Sequence, residues 1–74
     1  MPNIFVDARG LRCPIPIAKI SAKIVHLQPG DLLEILADDH PFVKDVMAYC
    51  EVSGNALVSL EESNGAYKAV IKKA

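Results

Sequence analysis

Two cysteines are the side chains best suited to covalent chemistry in this sequence, and their surroundings differ sharply. Cys13 lies in Asp7-Ala8-Arg9-Gly10-Leu11-Arg12-Cys13-Pro14-Ile15-Pro16, where a short apolar strand gives way to a helical pattern. The sulfur therefore falls at or beside the helix N-cap, with Pro14 in the first turn, where a missing N–H costs nothing, and Pro16 harmless for the same reason. Unpaired backbone donors and the positive end of the helix dipole favour thiolate over thiol at such a position. The two prolines limit this effect, since only Ile15 and Ile17 of the first turn still offer N–H groups. A moderately activated, exposed sulfur is expected, with Arg9 and Arg12 adding positive charge. Cys50 falls mid-stripe among Val43, Val46 and Met47 and reads as a buried, structural thiol.

A lone thiol without an internal histidine base, a second nearby cysteine or an evident substrate pocket is poorly equipped to be a complete enzyme. It is better suited to accept a group from a partner and pass it on, as a mixed disulfide or a persulfide. Around the sulfur, Asp7 is positioned to shape the loop by accepting backbone N–H groups, and Gly10 suggests an unusual backbone angle. Ile15 projects on the polar side of the helix beside Cys13, as a docking contact. Arg9 and Arg12 flank the sulfur, and Lys19 with Lys23 forms a modest basic patch for an acidic partner or phosphate. His26 and His40 read as a solvated helix residue and a capping-region residue. Neither they nor the cysteines have metal-ligand spacing, so no metal or cofactor is expected.

The elements that must position these residues follow from pattern. Ile4-Phe5-Val6 is a first strand ending at Asp7 and Gly10. From Pro14 to Gln28, Ile17, Ile20, Ile24 and Leu27 recur at helical spacing with Ala18 and Val25 on their flanks, and Pro29-Gly30 stops the helix. Leu32 to Ala37 is a central strand interrupted by Glu34. A second helix opens at Asp38-Asp39-His40-Pro41, with Asp39 or His40 as N-cap. Phe42, Val46, Tyr49 and Cys50 form its apolar stripe, Val43 and Met47 widen it, and Gly54 ends it. Ala56 to Glu61 and Tyr67 to Lys72 form a hairpin around Ser63-Asn64-Gly65. The order predicts an α+β fold, a βαβαββ two-layer sandwich with both helices on one face of a four-stranded sheet and Lys68 and Lys72 on the other.

The 74 residues predict a single domain, 1–74, with 51% hydrophobic and 23% charged residues and a formal net charge of -1. That balance fits a folded chain and argues against nucleic-acid binding driven by bulk charge. No basic-then-apolar leader or membrane-length apolar run is present, and the two cysteines, thirty-seven positions apart, read as free thiols in a reducing, cytoplasmic setting.

The run from Asp7 to Pro16 resembles the D-x-x-G-L-x-C-P-x-P signature of the TusA/SirA/YedF family of small sulfur-carrier proteins. The likeness extends to Pro29-Gly30-Asp31, Ala37-Asp38-Asp39, Asp45 and Gly54-Asn55, while His40 stands where many members have proline. It implies a mixed four-stranded sheet in a βαβαββ sandwich, Cys13 as acceptor of persulfide sulfur, and Asp7, Gly10, Arg12, Pro14 and Pro16 as its support. The implied partners are a cysteine desulfurase or rhodanese-like donor and a downstream acceptor protein. In the best-known members the sulfur reaches 2-thiouridine of tRNA, while others serve sulfur oxidation, molybdenum-cofactor assembly or selenium metabolism. Two other readings compete. A thiol redox regulator would need a resolving cysteine near Cys13, and a nucleic-acid-binding regulator would need basic charge and stacking aromatics.

Overall fold

Leu33, Ile35 and Ala37 alternate with half-buried neighbours and are each fully shielded from solvent, which fixes one face of a central strand as the floor of the core. In the computed structural model, which describes residues 3–74, that strand is β2 (Leu32–Ala37). The order is β1 (Asn3–Asp7), α1 (Ile15–Ile24), β2, α2 (Phe42–Ser53), β3 (Ala56–Ser63) and β4 (Ala66–Lys72). The strands form one sheet in the order β1-β2-β4-β3, with β1 parallel to β2 and the other two pairings antiparallel. The mixed βαβαββ sandwich is the expected one.

The core lies between the sheet and the two helices. Pro16, Ile20 and Ile24 of α1 and Phe42, Val46 and Cys50 of α2 meet Leu33, Ile35, Ala69 and Ile71 from the strands. Each large apolar side chain so buried contributes about 1.5–3 kcal/mol. On the other face, register sets Lys68 opposite Leu36 and Lys72 opposite Leu32, and Lys68 Nζ pairs with Glu34 Oε2 at 3.3 Å. The β3–β4 hairpin turns through Asn64 and Gly65, both at positive φ (54° and 79°), the signature of a tight two-residue turn.

Four local expectations are corrected. The first helix ends at Ile24 rather than Gln28. Beyond it the chain tightens into turns closed by His26 N–H to Lys23 O and Leu27 N–H to Ile24 O, and Lys73 Nζ donates to the Ile24 carbonyl. Buried Asp31 accepts the Gln28 N–H and holds the exit. Because Pro16 faces the core, the buried stripe is rotated: Ile17 is only half-buried, and Ala18 and Val25 are exposed. On the second helix Met47 is 54% exposed and does not widen the stripe. The N-cap there is Pro41, without a side-chain cap, so neither Asp39 nor His40 holds that place.

Candidate functional site

Parallel pairing decides where the sulfur sits. With Asp7 aligned to Leu36, β1 and β2 end side by side, so the loop after β1 lies against the loop after β2. This is the edge of an α/β sheet at which functional loops gather. Ala8 N–H extends the ladder to Leu36 O at 2.7 Å, and Leu11 N–H returns to Ala8 O at 3.2 Å, closing a turn. Gly10 stands in that turn at φ +83°, a conformation that side-chain-bearing residues rarely adopt.

Two acidic side chains from the β2–α2 loop then hold the sulfur loop. Asp38 Oδ1 accepts the Gly10 N–H at 2.9 Å and Asp39 Oδ2 accepts the Cys13 N–H at 2.7 Å. Asp39 therefore serves Cys13 rather than capping α2. Its role escaped the sequence, since the partners are 26 residues apart. Adjacent aspartates just beyond a core strand were the available signal.

Asp7 Oδ1 accepts the Arg9 N–H at 3.2 Å, and its two oxygens receive Arg9 Nε and Nη2 at 2.9 and 2.8 Å. The guanidinium holds the Asp7 carboxyl down from 3.8 to about 2. Because the folded value lies below the ordinary one, this contribution to stability is complete above pH 3.8 and is lost as pH falls through about 2. Arg9→Ala should return the Asp7 midpoint, followed by carboxyl NMR, to the ordinary aspartate range. An unchanged midpoint would assign the depression to the loop backbone alone.

Cys13 is exposed one position before the helix N-cap, Pro14. The Cys13-Pro14 peptide is cis. Pro14 and Ile17 form one wall of a shallow cleft of about 350 Å³, and Asp45, Ala48, Tyr49 and Val52 of α2 form the other. Its lining is mainly apolar, but the charges that reach the sulfur are acidic. The nearby Asp45 carboxylate pushes the Cys13 thiol up from its ordinary value, partial burial and Asp39 add to this, and Lys44 opposes it.

The expected thiolate activation is therefore reversed. Cys13 N–H is held by Asp39 and Ile15 N–H by the Arg12 carbonyl at 2.8 Å, so neither is free for the sulfur. Arg9 is paired with Asp7, and the cation that bears on the thiol is Lys44 rather than either arginine. Cys50 is 7% exposed, with its thiol pushed up by burial.

The remaining predicted residues divide. Arg12 lines a small polar depression with Gly10, Asp38 and Asp39. Ile15 is 46% exposed, and Lys19 lies one turn further along the same exposed face of α1. Pro16 is fully buried and anchors the start of α1 in the core. A second groove of about 640 Å³ lies on the opposite face of α2, lined chiefly by Val43, Lys44, Met47 and Tyr67, with His40 Nδ1 3.1 Å from the Tyr67 hydroxyl. No sequence pattern marks it, and Cys13 is not part of it. Among the described residues no cluster of three metal-ligating side chains occurs, and no helix is long and apolar enough to cross a membrane.

A sequence model described as sulfurtransferase TusA matches residues 4–73. The chain belongs to the TusA sulfurtransferase family. Among solved structures, the fold is similar to a SirA-like protein from Desulfitobacterium hafniense, at 27% identity and a TM-score of 0.82, covering 93% of this chain and 95% of that one. Membership in the TusA family supports a sulfur-carrier function with sulfur-relay partners.

Proposed function

We propose that this TusA-family chain carries sulfur as a persulfide on Cys13, loaded by a cysteine desulfurase or rhodanese-like donor and unloaded to an acceptor protein in the cytoplasm. The observation that carries the reading is one exposed thiol on a pinned loop at the shared end of two parallel strands, open to a partner's active site. In the transfer, Cys13 Sγ attacks the terminal sulfur of the donor persulfide. A new S–S bond forms, the donor's S–S bond breaks, and the donor cysteine leaves as thiolate and takes up the proton that Cys13 gives up. Sulfur moves at the sulfane level, so no external oxidant or reductant is needed. A buried second thiol argues against the redox-regulator alternative, which needs a resolving cysteine within reach.

Delivery towards tRNA 2-thiouridine is the acceptor route to test first, with a protein rather than RNA touching this chain, in keeping with its net charge of -1. The direct experiment is intact mass after incubation with a cysteine desulfurase and cysteine: one added sulfur supports the reading, and an unchanged mass with a competent donor refutes it.

Donor docking is proposed for the exposed row beside the sulfur, made of Arg9, Arg12, Ile15 and Lys19. Ile15→Asp or Arg12→Glu should slow loading by about three- to tenfold while leaving the thermal midpoint nearly unchanged. Equal losses of stability and loading would mean that these side chains support the loop instead.

A further inference from the structure

Asp45 occupies the first turn of α2, and its backbone N–H donates to the Pro41 carbonyl at 3.0 Å. An acidic residue there complements the helix dipole, which would be reason enough for an exposed carboxylate. Asp45 is not fully exposed. Its Oδ2 is shut off from solvent and no group makes a well-formed hydrogen bond to it. Buried carboxylate oxygens are costly without a donor, and native structures seldom leave one unpaired. The cleft that Asp45 shares with Pro14, Ile17, Ala48 and Val52 offers it no donor from those side chains, and the Tyr49 hydroxyl lies towards the other end of α2, where it accepts from Asn55 Nδ2 at 3.3 Å. The remaining wall carries Cys13 and its transferable S–H.

We propose that Asp45 is a positioning residue for Cys13, its buried Oδ2 receiving the S–H so that the unloaded sulfur is held as a thiol and aimed into the cleft between the helices. This rests on the carrier reading of Cys13 and adds its regulation. The charged groups that face the sulfur are Asp45 and Lys44 from α2 and Asp39 from the β2–α2 loop. Acidic groups outnumber the cation, in keeping with a protonated resting state. Once Sγ is bonded to a sulfane sulfur it has no hydrogen to donate, so the hold acts on the empty carrier and lapses on the loaded one. The empty thiol is thereby shielded from stray oxidants and alkylating agents, since thiolate is the reactive form.

The test is alkylation of Cys13 by iodoacetamide as a function of pH, read by peptide mass. Asp45→Asn keeps the shape, removes the charge and turns an amide donor towards the sulfur. Its profile should move about one unit to lower pH. Near neutral pH the rate should rise about threefold, because a tenfold gain in thiolate is partly offset by its weaker nucleophilicity. Asp45→Glu should move back towards the wild-type profile. Coincident profiles for Asp45→Asn and wild type, with Cys50 still unreactive, would overturn the proposal and leave Asp45 as a helix-end residue. The wild-type chain gives a check that needs no variant: the folded Cys13 profile must lie above that of the same chain in urea, and one at or below it would also overturn the proposal. No donor enters these measurements, so a failure here is distinct from failure of sulfur loading.

Discussion

Cys13→Ser should abolish sulfur loading completely, while Cys50→Ser should still take up one sulfur per chain. A serine oxygen cannot form a persulfide, so the first result needs only that Cys13 be the acceptor. Its fold should survive, because the Cys13 side chain is exposed and the bond that pins the loop comes from its backbone N–H to Asp39. Cys50 packs with Phe42 and Val46 on the inner face of α2, where a hydroxyl in place of sulfur costs about 1–3 kcal/mol. The Cys50→Ser protein should accordingly melt lower and load normally. Loss of loading in a folded Cys50→Ser protein would place the acceptor on the wrong cysteine. Intact mass and circular dichroism on the same samples separate these outcomes.

The largest stability effect is expected at Phe42. It is 1% exposed, opens α2, and its N–H donates to the Asp39 carbonyl at 3.0 Å, so it ties the core to the loop that grips Cys13. Phe42→Ala removes most of a buried aromatic and leaves a cavity, at a cost of about 3–5 kcal/mol. A chain of 74 residues has a total stability of about 4–11 kcal/mol, so this one change removes a large share of it. Urea titration should show the midpoint falling with an unchanged slope. At temperatures where the variant is still folded, Cys13 should load sulfur. A loss below 1 kcal/mol would mean that neighbouring side chains collapse into the space.

Much of the frame is legible from local pattern. The apolar run from Leu32 to Ala37, the Asn64-Gly65 turn, the Gly54 stop and the burial of Cys50 each depend on residues close in sequence, and local spacing suffices to find them. The end of α1 is not legible, because Lys73 and Asp31 reach back to the turns beyond Ile24, which helical periodicity does not register. The candidate site was half legible. Cys13 and Gly10 stand out by residue type and position. The sulfur's environment does not, because the groups that govern it belong to α2 and the loop before it, and the nearby arginines that suggested a cationic site are outweighed by acids from distant sequence.

The pinning of the sulfur loop by Asp38 and Asp39 has a consequence for how the molecule assembles. The β3–β4 hairpin is closed by two residues and can form early from neighbouring chain. The bonds from Gly10 to Asp38 and from Cys13 to Asp39 close loops of 28 and 26 residues, and they can persist only once β1 has found its register beside β2. Closing such loops costs entropy before any contact compensates, so these bonds belong to the late steps of folding. A newly made chain therefore acquires the pinned Cys13 loop only with β1 docked, and any partner that reads that loop meets it only on fully folded chains.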